Sequence, residues 1–438
     1  IGIDDTDSPR MGCTTYVAAL LVEKLRELGV SFLDYPNLVR LNPNVPWKTR
    51  GNGALCLKIR CDEGFLQEIK EIVLDTVEEN SDLSFAGTDP GVVFFVANKV
   101  PQKVRVFAKQ ATQGIVKMKE ALELIKAFGA EAVGFKNGRG VIGGLAAIGE
   151  TLDGDHTYEL ITYRIKENRG TPRRLAASSV VAMNEKTAPF TFNNIDPETQ
   201  RVLITPRGPD PILYGIRGET PTAVWRAHRM VRPLEPVERW VVFRTNHGTD
   251  AHLQALNSIE EIRAYNPTIV RGKVTKEPYI IPRRHVIFSI QDETGQVDCA
   301  AYEPTGILRT IAKALIVGDA VEVYGGVRPQ SSKRPVTVNL EKLRIVKLAP
   351  KLVFHNPLCS KCGRRMESMG RHKGFRCEKC GFRSSELRKL VSEERRRIEE
   401  GLYVTSPRSQ RHLTKPLCRY GLEKSGKPTT MIENWHFP

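Results

Sequence analysis

A chain of 438 residues, 40% of them hydrophobic, can build two to four packed domains. No apolar run approaches the roughly 20 residues that cross a bilayer. No signal-peptide pattern is visible, so no membrane partner and a cytoplasmic location are expected. The net charge is +16, and from Lys351 to Pro438 there are 20 Lys and Arg against 9 Asp and Glu, which points to a polyanion partner near the C-terminus.

The chain begins with Ile rather than Met, inside an apolar run, so a few preceding residues are expected. IGIDDTDSPRMGCTT reads as a strand (1–3), an acidic loop and the start of a helix (14–28), with apolar Val17, Leu20, Leu21, Leu25 and Leu28 at helical spacing. Asp4, Asp5 and Asp7 are hard oxygen ligands of the kind that hold Mg²⁺ against substrate phosphates. A helix N-terminus favours an anion, and Thr14 stands at it. The plainer reading is an Asp-rich turn followed by a threonine cap.

WKTRGNGA (47–54) then groups Lys48, Arg50, Gly51, Asn52 and Gly53, a combination suited to phosphate or to a solvated basic turn. It is not a P-loop, and no G-x-G-x-x-G follows the first strand, so a dinucleotide fold is not supported. Helical patterns near 63–79, 103–109 and 118–128 complete an α/β unit over 1–130. A second α/β or α+β unit is expected over 131–256. It opens on the glycine-rich loop NGRGVIGG (137–144), where Arg139 and close backbone approach suit a ligand or a packing turn equally. Leu160, Ile161 and Tyr163 suggest a strand, LYGIRGET (213–220) a loop bearing Tyr214, Arg217 and Glu219, VWRAHRMV (224–231) a helix and WVVFRTN (240–246) another strand.

Residues 267–347 read as three strands, a helix (ILRTIAKALI) and two strands, the order of an OB-fold that binds single-stranded nucleic acid; another small barrel is the alternative. A cysteine module (356–383) and a basic helix (384–400) make a unit over 351–400. A loosely structured basic tail (401–438) follows. Of nine cysteines, Cys359, Cys362, Cys377 and Cys380 form two C-x-x-C pairs fourteen residues apart, the spacing of a structural Zn²⁺ ribbon rather than a redox pair. The others are scattered, which fits a reducing compartment.

Taken in order, IGIDDTDSPRMGCTTY, RLNPNVPWKTRGNGA, GRGVIGGLAAIGE, LYGIRGE, FRTNHGTDAH, the OB-like segment and the four-cysteine ribbon resemble the archaeal 2-agmatinylcytidine synthetase family of isoleucine tRNA, TiaS. The resemblance implies kinase-like, ferredoxin-like, OB-fold and zinc-ribbon domains. It implies an ATP-dependent ligase that joins agmatine to the wobble cytidine of the isoleucine tRNA with a CAU anticodon, through a phosphorylated cytidine, switching decoding from AUG to AUA. Asp4, Asp5 and Asp7 would hold Mg²⁺ and ATP, Lys48 and Arg50 through Gly53 would hold phosphate together with Arg139, and Thr14 would itself be phosphorylated. A guanidinium-bearing amine calls for acidic and aromatic groups, for which Asp210, Tyr214 and Glu219 are candidates. His247 or Asp250 would take the amine's proton. The rival readings are a non-enzymatic single-strand binder and a metal-dependent nuclease built on the three aspartates.

Overall fold

The computed structural model describes residues 1–438 apart from Lys333 and 427–429, the latter a short piece of the basic tail. Short β-branched strands buried on both faces build its central sheet. Alternation decides which helix each side chain meets. Ile3, Leu38, Leu55 and Val92 pack toward the helices Thr14–Glu27 and Leu66–Glu79. Val39, Ala54 and Val93 pack toward Gln102–Gln113 and Gly140–Gly149.

The sheet has ten strands. In order, nine are Glu131–Gly134, Gly91–Phe94, Gly2–Asp4, Gly53–Cys56, Asn37–Arg40, Val237–Thr245, Thr157–Arg164, Ile212–Gly218 and Thr191–Phe192; His436–Phe437 pairs additionally with Val237–Thr245. All neighbours are antiparallel except one pair. Val237–Thr245 runs parallel to Asn37–Arg40, with Arg244 opposite Asn37 and Thr245 opposite Leu38. Two antiparallel half-sheets therefore meet at a single parallel seam.

The glycine-rich stretch 137–144, expected as a loop, instead enters the helix Gly140–Gly149. Its glycines serve contact rather than flexibility. A Cβ on Gly2 would lie 2.1 Å from the Gly144 carbonyl oxygen, and one on Gly143 would lie 1.8 Å from Asp4 Oδ2. The helix thus lies directly on the first strand.

Five strands, Pro267–Ile281, His285–Gln291, Gln296–Ala301, Ala320–Arg328 and Thr337–Lys347, form the expected barrel. The first strand pairs with both the second and the fourth, and the third runs parallel to the fifth. The helix Ile307–Lys313 stands between the third and fourth. No helix among the described residues is long and apolar enough to cross a membrane.

Two expectations fail at the C-terminus. Residues 384–400 are not a helix: Leu390–Glu393 pairs antiparallel with Leu352–His355, Arg396 bonds Asp319, and Ile398 enters the barrel core. Tertiary partners outweigh helical propensity there. Nor are the described residues of the tail loose. Gly401–Val404 adds an edge strand to the barrel, and Trp435 packs beneath the central sheet against Tyr35. Arg419, fully buried, pairs with Glu219 at 2.5 Å and Asp155 at 2.9 Å and donates to the Gly248 carbonyl at 2.6 Å. Arg419→Ala leaves two largely buried carboxylates without that partner, so about 3 kcal/mol of stability is expected to go. Urea unfolding checks this, and an unchanged midpoint would mean the tail is not docked.

Candidate active site

A cavity of about 630 Å³ opens over the parallel seam. Its first wall is the acidic loop. Asp4 ends the first strand. Asp5 follows with φ 62°, a left-handed conformation that aspartate tolerates, and so turns the chain away from the sheet. Asp5 Oδ2 accepts from Arg139 at 2.8 Å, and Asp7 Oδ2 pairs with Arg50 Nε at 2.9 Å. Asp4 has no cationic partner within 4 Å among the described residues. Burial and then the charge of Asp5 push the Asp4 carboxyl up to about 8. Burial raises Asp5 to about 6 even against Arg139, and burial raises Asp7 against the pull of Arg50.

Thr14 begins the helix Thr14–Glu27, where the first backbone N–H groups lack helical partners and the dipole is positive. Its hydroxyl accepts from Thr6 Oγ1 at 3.1 Å. The intervening loop is held at two points. Asp82 takes the Ser8 hydroxyl at 2.6 Å and the Arg10 guanidinium at 2.9 Å, and Arg50 donates to the Gly12 carbonyl at 2.7 Å.

Arg50 is also the tie across the seam. Its Nη1 lies 3.1 Å from Asp210 Oδ2, and Arg173 holds the other Asp210 oxygen at 3.1 Å. Lys48, Gly51, Asn52 and Gly53 line the cavity beside it, and Lys48 is exposed with no carboxylate partner among the described residues. Partial desolvation at the cavity rim and then Arg411 lower the Lys48 ammonium. The cavity therefore gathers Asp4, Asp5, Asp7, Thr14, the 48–53 loop, Arg139 and Asp210.

Tyr214 and Glu219 are placed elsewhere. On the strand Ile212–Gly218, Gly215 and Arg217 face the cavity, so Tyr214 faces the opposite layer, where its hydroxyl meets His228 Nδ1 at 2.9 Å. Glu219 is taken by Arg419 and Lys424. Asp250 is tied to Lys342 and accepts from the Lys415 backbone, outside the cavity. His247 is buried behind the wall, its Nδ1 3.4 Å from Glu159, and burial holds its imidazole down at about 3, a poor proton acceptor.

Cys13, Arg40, Glu159 and His412 line the cavity and were not anticipated for it, and Arg217, noted in LYGIRGET without a role, lines it as well. Glu159 left a trace: it is a lone charge in the apolar run TYELITY. Arg217 and Arg40 lie 3.1 and 3.8 Å from it and hold its carboxyl well below the ordinary range despite burial. His412 left none, because it arrives from the tail.

The four ribbon thiols converge as their spacing predicts. Their Sγ atoms all lie within 4.8 Å of one another, with Cys359–Cys380 at 3.5 Å and Cys362–Cys377 at 3.4 Å. Four thiolates at that spacing fit a closed tetrahedral metal site.

Residues 1–72 match the TiaS TCKD domain, 138–252 the TiaS FLD domain, 268–346 an OB-fold nucleic acid binding domain and 356–398 the TiaS C-terminal zinc ribbon domain. The isoleucine-tRNA 2-agmatinylcytidine synthetase TiaS of Archaeoglobus fulgidus is 42% identical over 97% of this chain and 98% of its own. A solved complex of TiaS with isoleucine tRNA and ATP is 42% identical with a TM-score of 0.86. A complex of TiaS with isoleucine tRNA, AMPCPP and agmatine is 39% identical with a TM-score of 0.84. Each of these two comparisons covers 95% of this chain and 96% of the other. With three TiaS domains and an OB-fold in order and a relative this similar along the length of both chains, the chain belongs to the TiaS family.

Proposed function

We propose that the chain uses ATP to attach agmatine to carbon 2 of the wobble cytidine of the isoleucine tRNA with a CAU anticodon. The observation that carries the reading is the cavity over the seam. It joins Asp4, which has no ion-pair partner within 4 Å among the described residues, and its arginine-paired neighbours Asp5 and Asp7 to a basic glycine loop and a helix-start threonine, in a chain related to enzymes solved with isoleucine tRNA, an ATP analogue and agmatine. A single-strand binder has no use for this cavity, and a nuclease has none for agmatine. Residence is in the cytoplasm, where the tRNA is.

Asp4 and Asp5 suit a divalent cation: both are hard oxygen donors, and Asp4, without a cationic neighbour, is costly to ionise alone. Mg²⁺ there supplies charge neutralisation to the phosphates of ATP. Lys48 and Arg50, with the close backbone of Gly51 and Gly53, hold phosphate oxygens, and Arg139 orients Asp5. Thr14 Oγ1 takes a phosphoryl group at the positive end of its helix. Zn²⁺ in the four-cysteine site is structural and folds the ribbon.

The cytidine 2-carbonyl oxygen is a poor leaving group until phosphorylated. The agmatine amine then forms the new C2–N bond as the C2–O bond breaks, phosphate departs with the electron pair, and the amine gives up a proton. Asp210, the one acidic candidate bordering the cavity, meets agmatine's guanidinium in competition with Arg50 and Arg173, which hold its two oxygens. The wobble base reaches the cavity because an anticodon loop is single-stranded.

The test is incorporation of labelled agmatine into isoleucine tRNA bearing CAU, with ATP and Mg²⁺. Label that requires ATP and the wobble cytidine is expected, and no label with tRNA binding intact would sink the reading. Thr14→Ala is expected to abolish incorporation while tRNA affinity stays within about twofold; normal incorporation would remove Thr14 from the chemistry. Gly143→Ala is milder in size and sharper in logic. Alanine ordinarily stabilises a helix by up to about 1 kcal/mol over glycine, yet here the new Cβ displaces the Asp4 carboxylate. Incorporation is expected to fall at least about tenfold without loss of tRNA affinity, and full activity would show that Asp4 need not stay where it is.

A further inference from the structure

A second, smaller cavity of about 190 Å³ lies on the far side of Arg217, His412, Leu203 and Pro206, which line both it and the main cavity. Its lining differs in kind from that of its neighbour. Arg201, Arg207, Arg217, Arg408 and Arg411 border it, and no carboxylate among the described residues does. Three of these arginines are paired from outside the cavity: Arg217 with Glu159 at 3.1 Å, Arg408 with Asp196 at 2.8 Å and Arg411 with Glu341 at 3.5 Å. Arg201 and Arg207 have no carboxylate within 4 Å among the described residues, and both are exposed to solvent. Unneutralised guanidinium groups beside a carboxylate-free hollow are arranged for an anion, and their planar fork matches phosphate oxygens bidentately.

Resting on the proposed function, we infer that this hollow is a phosphate subsite, and that Arg201 and Arg207 hold a backbone phosphate of the anticodon loop next to the cytidine in the main cavity. The hollow has less than a third of the main cavity's volume and has room for a phosphate group. The shared wall sets that phosphate one side-chain layer from the reacting nucleotide. The two exposed arginines open it to solvent, where a polynucleotide must enter. Inorganic phosphate leaving the reaction has the same chemistry, and the experiment separates the two sources. Arg201 and Arg207 are positioning residues: they fix the register of the loop and touch no reacting atom.

Parent, Arg201→Ala, Arg207→Ala and the double Arg201→Glu/Arg207→Glu variant are titrated with fluorescent isoleucine tRNA at several salt concentrations, without ATP or agmatine. Each alanine variant is expected to lower the slope of log affinity against log salt by about 0.7, the value for one single-strand phosphate contact. The charge reversal is expected to weaken binding at least about tenfold. In the incorporation assay the KM for tRNA rises while those for ATP and agmatine hold. Unchanged salt slopes in the alanine variants, with inhibition by inorganic phosphate lost, would assign the subsite to released phosphate instead of RNA. Unchanged slopes and unchanged phosphate inhibition together would overturn the subsite. Melting temperatures equal to the parent's confirm folding, as expected for two exposed side chains without carboxylate partners. The binding arm needs no catalysis, so arginine-dependent slopes in a protein that incorporates no agmatine would keep the subsite and reject the proposed function.

Discussion

The two half-sheets that wall the cavity are joined at a seam where Arg244 is buried. Its side chain is 1% exposed, bonds Asp34 at 3.1 Å and donates to the Leu152 carbonyl at 2.6 Å, so a strand of the second half-sheet is bound to loops of the first. The parallel pairing it supports is short, just Arg244 with Asn37 and Thr245 with Leu38. Asn246 extends it, accepting from the Arg40 backbone N–H at 2.8 Å and donating to the Arg40 carbonyl at 2.9 Å. A buried ion pair adds little net stability over an apolar pair, but breaking one is costly. Such a pair suits a joint whose register must not slip, since a shift of one residue would turn every side chain of the strand to the other face.

Charge is distributed unevenly around that joint. On the second half-sheet Glu159 answers Arg40 and Arg217 together, beside the neutral His247. On the first, Asp4 is left unanswered and Asp5 and Asp7 have one arginine each. One wall is electrostatically complete, while the other stays poised for a cation. Arg50 spans the two through Asp7 and Asp210, and so couples the width of the cavity to the position of the acidic loop.

The barrel and the tail are tied into the same joint. Glu341 of the barrel accepts from Thr414 at 2.7 Å and lies 3.0 Å from His252, and the next residue, Lys342, fully buried, bonds Asp250 and Tyr420. Burial would drive Glu341 up, but His252 and Arg411 hold it down at about 2. The segment 411–415 thereby touches the barrel on one side and brings His412 into the cavity wall on the other. The barrel and the cavity thus share a connection a few residues long.

Much of the site is legible in the chain itself. Asp4, Asp5, Asp7 and Thr14 lie within eleven residues, and strand, loop and helix start follow from local patterning, so their convergence needs no distant partner. The thiols of the ribbon and the strand order of the barrel are legible for the same reason. Tyr214 misses the cavity by a single step of strand alternation, which an isolated motif does not reveal. The glycines of 140–144 read as a loop because their purpose is contact with a strand over a hundred residues away. Residues 384–400 and the tail escape sequence reasoning because their partners are remote: Arg396 finds Asp319, and Arg419 finds Asp155 and Glu219. The sequence by itself determined the chemistry on offer, since residue type and short spacing settle which atoms can ligate, carry charge or accept a phosphoryl group. The tertiary structure alone decided which of those groups share one cavity, because Arg50 and Asp210 stand 160 positions apart and meet solely through the pairing of two half-sheets.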